Sequence, residues 1–134
     1  TTTTPAETTK PTSPATPPAS QKTATQKPTE AEIDAMFQKA RTAFWQRQFP
    51  AAIADYDTIE QDQPENAGAW GEQGNVYLAS GNRPMAAKAF EKAAQLRIKQ
   101  GADCAQIQPM LPWIAASDAK SAQSIAKSAH CPGS

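Results

Sequence analysis

The residues best suited to chemistry are few, and they do not form a catalytic set. The only histidine, His130, precedes one of the two cysteines, Cys131, and the other cysteine is Cys104. A structural zinc site takes four ligands, so these three residues cannot supply a Cys/His site. No serine lies in a nucleophile motif that this histidine could serve. We therefore expect no catalytic residue, no metal site and no cofactor, and we expect that the protein is not an enzyme.

The acidic residues of the segment 55–62 are a second place to look for chemistry. Paired carboxylates can act as general acid and base. The acidic positions here are Asp55, Asp57, Glu60 and Asp62. They lie on a predicted helix, and we expect them to form its solvated outer face.

Length and charge narrow the function classes further. The 134 residues suit one small domain, and 13 basic residues balance 13 acidic ones. Zero net charge does not favour nucleic acid as a partner. No apolar run approaches the length of a membrane span, so we expect no direct membrane insertion by this chain.

The first 29 residues differ sharply in composition from the rest. Residues 1–29 contain 11 of the 13 threonines and six of the 12 prolines, and they have no large apolar residue. Such a segment cannot bury enough apolar surface to offset its ordering entropy. We expect residues 1–29 to be a disordered Thr/Pro-rich tether and residues 30–132 to be the folded domain.

An internal repeat organises that domain. A shift of 34 residues aligns the segment 33–66 with the segment 67–100. Residues of the same or similar type then coincide, namely Ala35 with Ala69, Pro50 with Pro84, Ala52 with Ala86, and Tyr56 with Phe90. Apolar residues at spacings of three and four predict two helices in each unit. A proline begins the second helix of each, where its missing N–H costs nothing.

The second unit carries a family signature. Trp70, Gly74, Tyr77, Gly81, Ala86, Phe90 and Ala93 stand at the spacing of the tetratricopeptide repeat, which residues 67–98 resemble closely. Gln73 departs from the signature, where leucine is usual. The first unit resembles it less, because Met36, Ala43 and Arg47 replace typical residues. The resemblance implies an all-α fold, a right-handed α-solenoid of about three antiparallel helical hairpins.

A third, degenerate hairpin is expected at 103–131 as a cap, because two repeats rarely suffice. Pro109 and Pro112 leave two alternatives for its first arm. Either a helix starts near Pro109 with a local distortion at Pro112, or an extended link shortens the helix. Trp113 is expected in the core of this hairpin or in an exposed apolar patch.

The two cysteines open and close this hairpin. In an antiparallel helix pair the start of the first helix lies near the end of the second, which favours a Cys104–Cys131 disulfide over two unrelated thiols. A disulfide indicates an oxidising compartment. Because the sequence starts at Thr1 without Met, we expect that an upstream segment is missing, and a signal peptide and a membrane anchor are two alternatives for it. A periplasmic or secreted bacterial protein, tethered to a membrane by that segment, fits these features.

The resemblance also implies a binding groove lined by the first helix of each hairpin. By matching positions, the groove residues are Phe37, Arg41, Phe44, Trp45, Glu72, Asn75 and Leu78. Phe44 alternatively belongs to the core, and Trp45 alternatively packs on a neighbouring segment. The Lys, Asn and Arg clamp with which some family members hold carboxylates is not present.

These features predict a non-catalytic protein-interaction module. We expect a scaffold or assembly factor of a cell-envelope complex that binds a protein or peptide partner, with a peptide or helix lying in the groove. A monomer is the expected state. The alternatives are an oligomerisation element, or an auxiliary domain of a larger membrane-anchored protein.

Overall fold

The computed structural model describes residues 27–133, and all of the regular structure in that range is helical. Seven α-helices follow one another, with a short 3-10 turn at Gln108–Met110 before the sixth. They are α1 Glu30–Trp45, α2 Phe49–Asp62, α3 Ala67–Ala79, α4 Arg83–Lys99, α5 Cys104–Ile107, α6 Leu111–Ser117 and α7 Ala119–Ser128. The all-α prediction is confirmed. Most of the predicted tether, residues 1–26, lies outside the described residues.

Helix starts are set by side chains that satisfy unpaired backbone N–H groups. The Thr29 hydroxyl accepts the Glu32 N–H at 3.1 Å, and the Glu32 carboxylate accepts the Thr29 N–H at 2.7 Å, which is a complete capping box. Asn66, Asn82 and Asp118 cap α3, α4 and α7 through their side-chain oxygens. Each of these helices therefore begins at a residue whose side chain satisfies one of its first backbone N–H groups.

The ends of α1 and α3 are both followed by a residue with positive φ. Gly81 has φ +87°, which glycine adopts without steric cost. At the equivalent position of the first repeat, Arg47 takes φ +60°. The 34-residue period thus places the same backbone turn at both sites, although only one of them has a glycine.

The helices pack in chain order. α1 contacts α2, α2 contacts α3, α3 contacts α4, α4 contacts α6, and α6 contacts α7. Except for α4 and α6, these neighbours are joined by four residues or fewer, as is typical of antiparallel helices. Two apolar clusters fill the spaces between them. The first joins α1 to α3 and has Tyr56, Ile59 and Val76 among its fully buried members, whereas the second joins α4 to α7 around Phe90, Ile107 and Ile114.

The first arm of the third hairpin consists of short helical pieces. α5, the 3-10 turn and α6 succeed one another from Cys104 to Ser117, with Pro109 and Pro112 each near the start of a piece. There the missing proline N–H leaves no hydrogen bond unmade. The alternative of an extended link is therefore wrong, and helical structure starts before Pro109.

The predicted disulfide is present. Cys104 and Cys131 are bonded, with their Cα atoms 4.9 Å apart. The bond joins the start of α5 to the residue that follows the last turn after α7. Within the described range no helix is both long and apolar enough to span a bilayer.

Candidate functional site

An ion pair with a hydroxyl partner links the first three helices. Arg41 of α1 donates from Nε to Oε1 of Glu72 at 2.9 Å and from Nη2 to Oε2 at 2.7 Å. Tyr56 of α2 donates its hydroxyl to the same Oε1 at 2.7 Å. The Arg41 guanidinium also lies 5.0 Å from the centroid of the Phe37 ring. Two of the predicted groove residues, Arg41 and Glu72, are thus partners of each other.

The electrostatics of this network follow from the pairing. The hydrogen bonds to Glu72 raise the pKa of Arg41, so the guanidinium stays charged. Burial, and then the contact with Glu72, raise the pKa of Tyr56 well above its usual range, so its hydroxyl remains a donor. The Glu72 carboxylate is therefore neutralised by groups of the protein itself.

A groove lies beside this network, between α3, α4 and the segment 106–113. It is a cavity of about 430 Å³ with polar and apolar walls. Its lining consists of Gly68, Gly71, Glu72, Asn75, Phe90, Arg97, Gln106, Pro109, Met110 and Trp113. Without side chains, Gly68 and Gly71 leave a stretch of α3 that another backbone can approach. We refer to this cavity as the groove.

The structure places the predicted site residues in several environments. Glu72 and Asn75 line the groove. Phe37 is 9% exposed and contacts Tyr56 ring to ring at 6.2 Å, and Leu78 packs against the second apolar cluster. Arg41 reaches the groove only through Glu72. The predicted groove residues of α1 and α3 therefore do not all lie on one surface, although they occupy matching positions in the two repeats.

Phe44 and Trp45 form part of a separate aromatic patch at the α1–α2 turn. Phe44 lies 5.6 Å from Trp45 and 6.0 Å from Phe49, centroid to centroid, and the Arg47 guanidinium lies 5.3 Å from the Phe49 centroid. Trp45 is 78% exposed. None of these four residues lines the groove.

Outside α3 and Trp113, five groove residues were not predicted as a site, namely Phe90, Arg97, Gln106, Pro109 and Met110. Arg97 belongs to the last turn of α4, where a cation also suits the helix dipole, so its sequence position gives no functional signal. Trp113 was expected in the core or in an exposed patch, and it is 37% exposed at the groove wall. The Arg83 guanidinium lies 5.7 Å from its ring centroid.

The carboxylates of α2 depart from the expected solvated face. Glu60 is only 6% exposed, and its Oε2 has no hydrogen-bond partner among the described residues. Burial, and then the charge of Asp57, raise the pKa of Glu60 to about 8. Asp57 accepts a hydrogen bond from the buried Gln73 amide at 2.7 Å. The expectation of an outward face is wrong for Glu60.

The groove presents side chains that can bind a partner. No group of three or more His, Cys, Asp or Glu side chains within residues 27–133 is placed to hold a metal ion. The polar side chains of the groove are one guanidinium, two amides and one carboxylate that Arg41 neutralises. Such a lining suits recognition of a partner through hydrogen bonds, charge and an aromatic contact.

Comparison with protein-family models gives no match, and no curated protein is significantly similar to the chain.

Proposed function

We propose that the protein is a non-catalytic interaction module that binds a segment of a partner protein in the groove. The observation that carries this proposal is the groove itself, which combines an open glycine wall, a partly exposed tryptophan, and the Arg97 guanidinium, which has no ion pair or hydrogen bond to any of residues 27–133. Aromatic residues and arginine are the side chains most often found at the energetic centres of protein interfaces.

We further propose that the helices form a right-handed α-solenoid of the tetratricopeptide type, with repeats at 33–66 and 67–100 and a capping hairpin at 103–131. The signature residues from Trp70 to Ala93 support this proposal. Contacts in chain order between short-connected helices are also expected for such an array.

The proposed location is the periplasm or the exterior of a bacterium, where the module would scaffold or assemble a cell-envelope complex. The disulfide supports an oxidising compartment. The Thr/Pro-rich segment 1–29 supports a tether, which would raise the effective concentration of the groove near a membrane.

The test is capture of partners from a cell-envelope extract with a groove variant and a matched control. Asn75→Glu places a carboxylate in the groove, whereas Gln61→Glu introduces a carboxylate at an exposed site of α2 outside it. We expect a protein that the wild type and Gln61→Glu retain and that Asn75→Glu loses. Identical sets of captured proteins from all three would contradict the groove assignment.

Self-association is a second candidate, favoured by one observation. An open, mainly apolar cavity of about 530 Å³ lies between α6 and α7, with Leu111, Pro112, Ala119, Ala122 and Ala126 in its lining. Apolar surface at the end of a helical array can pair two copies. Light scattering would then give a dimer that Ala119→Arg dissociates and Ala116→Arg, outside that lining, preserves. A monomer for the wild type at high concentration would exclude this candidate.

A further inference from the structure

We infer that the ligand of the groove is an extended acidic segment, in which an Asp or Glu side chain binds Arg97 and a neighbouring apolar side chain contacts Trp113. This inference rests on the proposed groove function and specifies its ligand. It differs from the carboxylate clamp discussed above in using a residue of α4 and a side-chain carboxylate.

Arg97 is the first support. It is half-buried in the last turn of α4, and it lines both the groove and an adjoining cavity of about 240 Å³. Among residues 27–133 it has no ion pair and no hydrogen-bond partner for its side chain. A guanidinium presents five N–H donors in a fixed fork that matches a carboxylate. A half-buried cation without a partner favours an anionic ligand.

The charge of Glu72 does not cancel that of Arg97. Glu72 is the one acidic residue that lines either cavity among the described residues. Its Oε1 accepts from Arg41 and Tyr56, and its Oε2 accepts from Arg41. Because Arg41 compensates this carboxylate, the groove retains a net positive charge.

The amides and glycines of the groove suit an extended backbone. The side-chain Oε1 of Gln106 accepts a hydrogen bond from the Asp103 N–H at 3.1 Å. The side-chain NH₂ group of Gln106 therefore remains a donor at the groove wall. The exposed Asn75 amide can both donate and accept. Gly68 and Gly71 allow the ligand backbone to approach α3. An extended segment exposes the N–H and C=O groups that these side chains would bind.

Trp113 supplies the apolar contact. With 37% of its surface exposed at the groove wall, the indole can bury further area against a ligand side chain. Arg83 beside the ring adds a second cation at this end of the groove. The expected ligand therefore combines acidic and large apolar residues.

The experiment selects short peptides from a random displayed library on the full chain, and then measures their affinities by fluorescence anisotropy. The protein arms are the wild type, Arg97→Gln, the control Arg47→Gln, and the groove variant Asn75→Glu. Each selected peptide is also made with its acidic side chains changed to amides and, separately, with an amidated C-terminus. Circular dichroism checks that each variant is folded.

We expect acidic peptides with large apolar residues. Changing their acidic side chains to amides, or Arg97 to Gln, should each weaken binding about tenfold, and the two changes together should cost little more than one. Raised salt should weaken peptide binding by the wild type more than binding by Arg97→Gln. Salt screens the attraction between the Arg97 guanidinium and the peptide carboxylate, and the variant lacks that charge pair. Arg47→Gln should bind as the wild type does.

Other outcomes contradict the inference in distinguishable ways. Selected peptides without acidic residues, or with equal affinity for Arg97→Gln, would overturn the role of Arg97 and leave the groove function intact. Loss of binding on C-terminal amidation alone would overturn the side-chain assignment. Equal affinity for Asn75→Glu would place the peptides outside the groove and contradict the proposed function as well. Failure to enrich any peptide would exclude an extended peptide ligand.

Discussion

At the scale of the residue, Glu60 shows how a charged side chain can enter a core without an obvious sequence signal. Its type favours the surface, and the neighbouring Asp57 and Asp62 are exposed. Its position indicates otherwise, because Glu60 follows Tyr56 by four residues and so shares the buried face of α2. The burial of Glu60 could therefore have been predicted from helical spacing, but not from the residue type.

The burial of Glu60 predicts a stability that falls as pH rises. Its ordinary pKa of 4.5 becomes about 8 in the folded protein, next to Asp57 of its own helix and Tyr77 of α3. The folded state therefore holds a proton that the unfolded state releases above about pH 4.5. Between these values the free energy of unfolding should decrease by about 5 kcal/mol, and it should be lowest above pH 8.

Urea denaturation across this pH range measures the effect, with Glu60→Gln as the control. The amide has the size of the protonated acid but does not titrate, so the variant should lose most of the pH dependence and be the more stable form at pH 8. Parallel pH profiles for the two proteins would show that Glu60 does not carry the effect.

Phe37 and Trp45 test how burial determines the contribution of an aromatic side chain to stability. Both residues lie on α1, and the sequence predicted both to line the groove. Phe37 is 9% exposed and Trp45 is 78% exposed. Phe37→Ala should cost roughly 3 kcal/mol of stability through the cavity that it leaves, whereas Trp45→Ala should cost less than about 1 kcal/mol. Thermal denaturation compares them. A loss of peptide affinity in folded Trp45→Ala would extend the binding site to the aromatic patch.

At the scale of the element, two glycines of α3 should respond oppositely to the same substitution. A Cβ at Gly71 would lie 3.9 Å from the nearest atom, the Ala93 Cβ, which is an ordinary contact. A Cβ at Gly74 would lie 2.6 Å from a carbon of the Phe90 ring, and that ring is buried. Gly74 therefore permits the close approach of α3 and α4, whereas Gly71 only leaves the groove open.

Gly71→Ala should raise the free energy of unfolding by roughly 0.5–1 kcal/mol, because alanine restricts the unfolded chain and favours the helix. Gly74→Ala should lower it by roughly 1–3 kcal/mol, because Phe90 must move. Urea denaturation of both variants at one pH makes the comparison. Shifts in the same direction would mean that helix propensity outweighs packing at Gly74.

The helices themselves were largely predictable from the sequence. Apolar spacing, capping side chains and prolines at helix starts gave the elements from Glu30 to Lys99. The segment from Cys104 to Ser117 was harder, because two prolines three residues apart allow either an extended or a helical path. Burial of Ile107, Met110 and Ile114 against α4 favours the helical path, and the sequence does not display that packing.

At the scale of the whole molecule, the groove depends on residues distant in the chain. α3 supplies Asn75, α4 supplies Arg97, and the third hairpin supplies Gln106 and Trp113. The sequence predicted the α3 wall from the repeat. It could not predict the other walls, because they result from how the irregular hairpin packs on α4. The Arg41–Glu72 ion pair could not be predicted from the sequence either, because each of the two side chains, taken alone, is suited to binding a ligand.

The disulfide should control both the stability of this hairpin and the groove. α5, α6 and α7 are too short to be stable alone, and the Cys104–Cys131 bond closes a loop with a sequence separation of 27. Opening it should cost about 3 kcal/mol in the chain-entropy model. Because Gln106, Met110 and Trp113 lie inside that loop, reduction should loosen one groove wall first.

Hydrogen exchange of the oxidised and reduced protein, followed by mass spectrometry, tests this order of events. We expect faster exchange at residues 104–131 on reduction, with α1 to α3 still protected, and weaker peptide binding in the groove. The Cys104→Ser, Cys131→Ser double variant should match the reduced wild type and should not respond to reductant. Unchanged exchange and affinity on reduction would mean that packing against α4 alone holds the hairpin, and that the bond contributes little to the binding surface.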